Sequence, residues 1–292
     1  MVSTSTNRAG VVPGRIRPSG DFDTVVRPPN PAGIPVHNFN IAQRIAPWQR
    51  RRKRRKNDRV YKKKNGRLPR LLREDFCGTA FLSAEWIRRR PDNEAVGIDL
   101  DRATLEWGRV HNIEPLGKEA RRVRLIQSDV RAVDWPKADV IAALNFSYFV
   151  FKEREELLGY FRNTRRSLAP GGIFVVDIFG GWEAQMEVAD KTRYDGFTYT
   201  WEQKGIDPIT HVGRFQIHFK PDKGPSLRKA FTYDWRLWTV PELREALADA
   251  GFTTFDVYWE GIDEETGEGD GDYKRIESAE NCPGWNALIV AS

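Results

Sequence analysis

The sequence is poor in cysteine and in long apolar runs, and both shortages exclude classes of protein. Its 292 residues contain two cysteines, Cys77 and Cys282, which are too few for a disulfide framework or a structural zinc site. The longest apolar stretch, around residues 140–151, is interrupted by Asn145 and Ser147 and falls far short of the roughly 20 residues that span a bilayer. We therefore expect a soluble cytoplasmic protein that binds no metal and has no membrane partner.

Positive charge is concentrated in one segment. From Arg44 to Arg73 the chain has fifteen Lys or Arg and one acid, Asp58, a local charge of +14 that leaves −8 for the rest of a chain of net charge +6. Residues 1–66 are rich in Gly, Pro, Ser, Asn and Arg without a helical or strand period, which predicts a flexible basic N-terminal arm. Its run RRRKRRK at 50–56 is typical either of a solvated tail or of a segment that neutralises nucleic-acid phosphates.

From residue 67 onward the pattern alternates between strand and helix. The buried strand patterns, most of them followed by apolar residues at helical spacing, are PRLLRED, AVGIDLD, VRLIQSDV, ADVIAALNF and IFVVDIF. Five strands with interposed helices predict an α/β fold with a Rossmann-like, doubly wound and mostly parallel sheet. We expect residues 67–292 to form this one domain.

After the fifth strand the period of the pattern changes to two. The segments FTYTWEQ, GRFQIHF and RKAFTYDW each place their aromatic residues on one face, which predicts an antiparallel β insert within residues 182–237. Thr239 and Glu242 then form a capping box for a helix, and FTTFDVYWE and WNALIVAS supply two last strands. We expect the insert to cover a substrate site.

The residues that end each strand decide what such a sheet binds, because ligands lie beyond the carboxyl ends of parallel strands. Those ends carry residues 74–78, Asp99, Asp129, Asn145 and Asp177. The first turn, REDFCGTAFLSAEW, lacks the G-x-G-x-x-G spacing that holds a pyrophosphate, which disfavours a nicotinamide oxidoreductase. One glycine for close backbone approach, with Asp99 as an acceptor for both ribose hydroxyls, indicates a nucleoside without phosphates. S-adenosylmethionine is the common cofactor that contains such a nucleoside.

The motifs EDFCGTA, VGIDLD, QSDV and ALNFSYFVF, in this order, resemble those of the class I S-adenosylmethionine-dependent methyltransferases over about residues 69–292. In that family the first-strand motif is [E/D]-x-G-x-G-x-G. Glu74 matches its acid and Gly78 its central glycine, whereas Phe76 and Ala80 replace the other two glycines.

The resemblance implies a role for each strand end. Asp99 would bind the ribose, Asp129 would accept from the adenine amine beside a backbone group of Val130, and Asn145 with Phe146 would face the reacting methyl. Cys77 would contact the cofactor through its backbone. The predicted cofactor-binding residues are Glu74, Phe76, Cys77, Gly78, Asp99, Leu100, Asp129, Val130 and Asn145.

Methyl transfer from a sulfonium is an in-line displacement that needs no metal and no enzyme nucleophile, so positioning supplies most of the catalysis. With Asn145, the predicted catalytic residues are Tyr148 and His218. Tyr148 would orient the acceptor, although a half-buried aromatic with a satisfied hydroxyl is an equal alternative. His218 would be the base if its face of the insert lines the cleft, whereas a lone His on a strand is more often structural or solvated.

These features favour a methyltransferase with a small-molecule acceptor. One alternative is an enzyme for RNA or protein recruited by the basic arm. Against it, the fourth strand ends in NFSY rather than in a motif such as N-P-P-Y, and the folded part is acidic, so a nucleic-acid partner is not favoured. Another alternative is a non-catalytic S-adenosylmethionine-binding module. No feature of the sequence indicates an oligomeric state.

Overall fold

The computed structural model describes residues 60–263 and 269–292. The strands are β1 (Leu71–Asp75), β2 (Glu94–Asp99), β3 (Val123–Gln127), β4 (Ala138–Ala143), β5 (Leu168–Gly180), β6 (Glu187–Tyr194), β7 (Phe197–Ile206), β8 (Val212–Pro221), β9 (Leu227–Arg236), β10 (Phe255–Ile262), β11 (Gly269–Ile276) and β12 (Trp285–Ala291). The α-helices bounded within this part of the chain are α1 (Phe81–Arg89), α2 (Arg102–Gly108), α3 (Arg154–Ser167) and α4 (Val240–Asp249).

The central sheet has eight strands in the order β11-β10-β12-β5-β4-β1-β2-β3. β1 pairs in parallel with both β2 and β4, β2 with β3 and β4 with β5, whereas β12 runs antiparallel to β5. The predicted doubly wound, mostly parallel sheet is therefore confirmed. Since the chain proceeds from β1 outward to β3 and then returns to β4 on the other side, the strand order reverses between β1 and β4. This is the position where such sheets bind ligands.

The helix starts follow from local capping. The Asp101 side chain accepts from the Thr104 N–H and begins α2, and Thr239 with Glu242 forms the capping box that begins α4. The capping box of α4 is as predicted. α1 buries Leu82 and Trp86 against the sheet. No helix in the described ranges is long and apolar enough to cross a bilayer.

The second sheet consists of β6, β7, β8 and β9, paired antiparallel in chain order. One face is aromatic and buried, and it packs against the end of the central sheet. For example, the ring of Trp235 lies 6.3 Å from that of Phe146, and the ring of Phe215 lies 6.1 Å from that of Phe179. The aromatic face thus lies over the carboxyl ends of β4 and β5.

Two edge strands, β6 and β11, were not predicted from the sequence. The pattern EVADKTRY of β6 has one buried residue, Asp190, and the pattern GDGDYKRI of β11 has one, Tyr273. An edge strand with a single buried side chain shows no apolar alternation. Its pairing with a neighbouring strand, rather than its own period, makes it a strand.

The folded part begins before the predicted boundary at residue 66. Residues 60–65 are helical, and the Tyr61 ring is fully buried, with its hydroxyl donating to Asp139 Oδ1 at 2.7 Å. The Asn65 side chain also donates to the Gly171 carbonyl at 3.0 Å. The boundary is corrected accordingly, because these contacts tie residues 60–65 to the central sheet. The remainder of the predicted arm, residues 1–59, lies outside the described residues.

Candidate functional site

The turn that follows β1 has left-handed backbone at three alternate positions. Phe76, Gly78 and Ala80 have φ values of 55°, 51° and 53°. These are the positions at which the motif of the resembled family has glycine, and two of them carry side chains here at some cost in backbone energy. The Phe76 ring packs 5.9 Å from the Phe151 ring and 5.6 Å from the Tyr160 ring. The turn therefore keeps a glycine-like path although two of its glycines are replaced.

Asp99, at the end of β2, is hydrogen-bonded to this turn. Its Oδ2 accepts from the Gly78 N–H at 2.8 Å and its Oδ1 from the Asp101 N–H at 2.9 Å. The carboxyl is 8% exposed, and burial raises its pKa to about 6. Each oxygen has a second lone pair, so the carboxylate is able to accept from two further hydroxyls. The adjacent Leu100 side chain is 60% exposed and offers an apolar surface beside it.

Glu74 and Cys77 lie on the buried side of the turn. Glu74 Oε2 accepts from the Ser83 N–H at 2.8 Å and from the Ser83 hydroxyl at 2.6 Å, so its carboxylate stabilises the first turn of α1. The Cys77 thiol is buried, and a Cβ on Gly97 would lie 2.8 Å from its sulfur. The Cys77 N–H donates to the Ile98 carbonyl at 2.9 Å, and the Cys77 carbonyl accepts from the Ala80 N–H at 2.7 Å. A contact of the Cys77 backbone with the cofactor stays a prediction. A cofactor contact by Glu74 stays a prediction.

Asp129, after β3, is paired with a residue that the sequence analysis did not identify. Arg131 Nη2 lies 2.7 Å from Asp129 Oδ2, and this hydrogen bond lowers the pKa of the Asp129 carboxyl. The guanidinium also lies 5.0 Å from the Phe151 ring centroid. An adenine amine would have to share the carboxylate with Arg131. The predicted role of Asp129 stays a prediction.

Val130 is held through its carbonyl group. The carbonyl oxygen accepts from Arg73 Nη2 at 3.0 Å and from Asn163 Nδ2 at 2.9 Å. Both donors also reach the Val133 carbonyl, at 2.6 Å and 2.7 Å. Arg73 is fully buried and paired with Asp75 at 2.6 Å. This network joins β1 and α3 to the loop that carries Asp129, and its sequence signal is the alternation of charges within the buried strand LLRED.

The turn that follows β4 contains two consecutive residues with left-handed backbone. Asn145 and Phe146 have φ values of 67° and 59°. The Asn145 N–H donates to Asp177 Oδ2 and the Phe146 N–H to Asp177 Oδ1, both at 2.8 Å. Asp177 lies on β5, where the pairing of Ala143 with Val176 brings it level with this turn. The sequence had marked Asp177 only as an acid near a strand end.

Tyr148 does not occupy the position predicted for it. Its side chain is fully buried, and its hydroxyl donates to the Asp177 carbonyl at 2.9 Å. Burial raises the pKa of this hydroxyl well above its usual range, with a further contribution from the Asp177 charge. A role in orienting the acceptor is corrected, because the hydroxyl is satisfied inside the core. The alternative of an aromatic with a satisfied hydroxyl describes the structure.

His218 lies on the outer face of the second sheet. Its neighbours in β8, Ile217 and Phe219, are buried in the core, whereas His218 Nε2 lies 3.0 Å from Glu202 Oε2. Its Nδ1 accepts from the Lys229 N–H at 2.9 Å, so the ring proton is on Nε2 and is donated to Glu202. The condition set for a base, that this face lines the cleft, is not met, because the aromatic face is the one turned toward β4 and β5.

Comparisons with known proteins agree with this architecture. Residues 77–174 match a family model described as a methyltransferase domain. The S-adenosylmethionine-bound amino pentose methyltransferase CalS10 from Micromonospora echinaspora superposes with a TM-score of 0.61 at 20% identity, covering 90% of this chain and 98% of that one. The sugar N-methyltransferase KedS8 from Streptoalloteichus sp ATCC 53650 gives 0.57 at 18% identity, covering 100% and 98%.

An S-adenosylmethionine-dependent methyltransferase from Clostridium acetobutylicum ATCC 824 gives a TM-score of 0.59 at 18% identity, covering 80% of this chain and 90% of that one. No curated protein matches the chain in sequence. At these identities the structural likeness shows a shared fold, and it extends over nearly the full length of each neighbour.

Proposed function

We propose that this chain is a class I S-adenosylmethionine-dependent methyltransferase, as the methyltransferase-domain match and the shared fold support, and that it transfers a methyl group to a small-molecule acceptor by in-line displacement. The observation that carries the proposal is the hydrogen bond of 2.8 Å between the Gly78 N–H and Asp99 Oδ2. It joins the left-handed turn after β1, which borders the position where the strand order reverses, to an acceptor carboxylate at the end of β2.

The residues of this site fit a nucleoside that bears no phosphates. Asp99 would hold the ribose hydroxyls, and the backbone of residues 76–80 would lie against the methionine part. Leu100 would cover one side of the adenine, with Asp129 at its edge. The bound cofactor supplies a methyl group on a positively charged sulfur. The chain contributes position and exclusion of water, which suffice for a displacement of this kind.

A small acceptor is supported by the second sheet and by two of the structural neighbours. The buried aromatic face of the second sheet covers the ends of β4 and β5, which favours a small acceptor over a large partner. CalS10 and KedS8 are described as acting on an amino pentose and on a sugar. We infer that Asn145, at the end of β4, lies at the methyl group and that the acceptor enters between this turn and the second sheet.

We also infer a cytoplasmic location, because both cysteines, Cys77 and Cys282, are free thiols. Nucleic acid is not a favoured partner, because the folded part is net acidic although the whole chain has a net charge of +6.

Two measurements test the proposal. Calorimetry on the full chain should show binding of S-adenosylmethionine and of its demethylated product. Incubation of the protein with a metabolite extract and S-adenosylmethionine labelled in the methyl group should transfer the label to a small molecule, detected by mass spectrometry. A protein that binds neither ligand would contradict the assignment of the site. Transfer of the label to RNA or protein in place of small molecules would contradict the choice of acceptor.

A further inference from the structure

Asp177 is a buried carboxylate whose two oxygens are directed at one turn. It is 1% exposed, and Oδ2 and Oδ1 accept from the successive N–H groups of Asn145 and Phe146 at 2.8 Å each. A buried carboxylate is costly unless charge-assisted hydrogen bonds compensate it, and backbone N–H donors do so strongly. An apolar residue at position 177 could not accept these two hydrogen bonds, so the turn depends on the carboxylate.

The turn needs such a partner because both of its residues are strained. Left-handed backbone is unusual for residues other than glycine, and it persists only where the surroundings impose it. Two consecutive N–H groups that point the same way toward one carboxylate are a geometry that this backbone conformation produces. Asp177 thus stabilises the left-handed form against the ordinary alternatives.

The neighbours of the turn show what the conformation achieves. The Phe146 ring lies 4.6 Å from the Phe179 ring and 6.3 Å from the Trp235 ring, so it faces the second sheet. Asn145, which directly precedes Phe146 in the chain, is half-buried after the end of β4. The Tyr148 hydroxyl donates to the Asp177 carbonyl at 2.9 Å and so helps to fix the position of Asp177.

We propose that Asp177 is a positioning residue for methyl transfer: its carboxylate holds the Asn145–Phe146 turn in the left-handed form that places Asn145 between the methyl donor and the second sheet. The inference rests on the proposed function, because it takes the end of β4 to face the donor. Asp177 itself touches neither cofactor nor acceptor and acts through the turn.

The chain contains a matched control for this residue at the opposite end of β4. Asp139 is 6% exposed and its Oδ2 also accepts from two successive backbone N–H groups, those of Arg70 at 2.7 Å and Leu71 at 3.1 Å. It lies at the amino end of the strands, away from the site. Replacing either carboxyl by an amide keeps its shape and removes its charge.

The test compares Asp177→Asn with Asp139→Asn in the full chain. Calorimetry measures the affinity for S-adenosylmethionine, thermal unfolding measures stability, and hydrogen exchange followed by mass spectrometry measures protection of residues 144–150. In Asp177→Asn the amide NH2 would face one of the two N–H groups. We expect about tenfold weaker binding, the loss expected from one hydrogen bond to a charged group, and faster exchange in this segment.

Asp139→Asn should lower the unfolding temperature, because Asp139 also pairs with Arg67 at 2.7 Å. It should leave both the affinity and the exchange of residues 144–150 as in the wild type. The inference is overturned if Asp177→Asn binds as the wild type does, or if both variants lose affinity in proportion to their loss of stability. A wild-type protein that does not bind S-adenosylmethionine would instead overturn the proposed function, before any variant is compared.

A second variant keeps the test decisive if Asp177→Asn does not fold. Tyr148→Phe removes only the hydroxyl that holds the Asp177 carbonyl and keeps the ring in the core. We expect about threefold weaker binding and a small increase in exchange at residues 144–150, as fits the loss of a neutral hydrogen bond. Unchanged affinity and exchange in this variant would contradict the inference.

Discussion

The turns after β1 and β4 both have left-handed backbone that is hydrogen-bonded to a carboxylate, Asp99 in the first and Asp177 in the second. Each turn contains non-glycine residues with positive φ, Phe76 and Ala80 in the first and Asn145 and Phe146 in the second. Each is hydrogen-bonded through backbone N–H groups to an Asp on the next strand of the sheet. In the first turn Asp99 accepts one such bond, and in the second Asp177 accepts two.

The two carboxylates differ in how accessible they remain to a ligand. Asp177 is 1% exposed and directs both oxygens at its turn, so it acts as an internal support. Asp99 is 8% exposed, and its pKa is raised to about 6, so it keeps contact with the surface and titrates near neutral pH. A carboxylate that supports a turn and also receives a ligand must remain partly accessible. We therefore expect substitutions at the first turn to affect cofactor binding most.

The largest effect is expected at Gly78, the glycine of the first turn, whose N–H donates to Asp99. Gly78→Ala adds a Cβ to a buried residue whose backbone φ is 51°, which costs roughly 1–2 kcal/mol in strain. We expect about hundredfold weaker binding of S-adenosylmethionine by calorimetry, since steric exclusion adds to the strain.

Gly196→Ala is the control for the backbone strain, because Gly196 has φ of 85° and open space around its Cβ position. It should lower stability without changing affinity. If Gly78→Ala behaves in the same way, Gly78 serves the conformation of the turn alone and the first turn is not a close-contact surface.

Asp99→Asn tests the dual role of that carboxylate. The amide has one acceptor oxygen in place of two, and it carries no charge for a ribose diol to donate to. We expect binding of S-adenosylmethionine and of its demethylated product to weaken by about tenfold, measured by calorimetry. Asp101→Asn is the comparison, since Asn also caps a helix and the Asp101 side chain accepts from the Thr104 N–H in α2. Equal losses in both variants would contradict a ligand role that is specific to Asp99.

The smallest effect is the pH dependence that distinguishes the two carboxylates. Because burial raises the pKa of Asp99 from 3.8 to about 6, the folded protein binds this proton more tightly than the unfolded chain does. Its contribution to stability therefore falls as pH rises through that window. Hydroxyl donors favour the ionised form, so cofactor affinity should change in the opposite direction.

We expect binding of the demethylated cofactor to strengthen about threefold between pH 5 and pH 7. In Asp99→Asn the same measurement should be flat. A wild-type affinity that is independent of pH, or one that weakens as pH rises, would show that a protonated Asp99 binds equally well.

Local patterns predicted the parts of the site that one segment of chain determines. The spacing of apolar residues located α1 to α4 and most strands, and the motif EDFCGTA located the first turn and its relation to Asp99. The positions of Phe76 and Ala80 in left-handed backbone agree with their alignment to family glycines. By contrast, the edge strands β6 and β11 were missed, because each buries a single side chain and owes its conformation to a neighbour.

The two wrong expectations about catalysis concern the direction in which a side chain points. Tyr148 follows Asn145 closely in sequence, but the turn places its hydroxyl in the core against β5. His218 alternates correctly with the aromatic residues of β8, but which face of that sheet is buried depends on the central sheet against which it packs. Neither fact is contained in the local pattern.

The sequence by itself determined the order of strands and helices, their caps and the acids at the strand ends, because hydrophobic period, capping and turn conformation depend on residues close together in the chain. Only the tertiary structure decided which of those acids meet a turn, which meet an arginine and which face of the second sheet lies over the site. These contacts join residues far apart in the chain, such as Asn145 and Asp177. They exist only once the sheet has brought the strand ends to one edge.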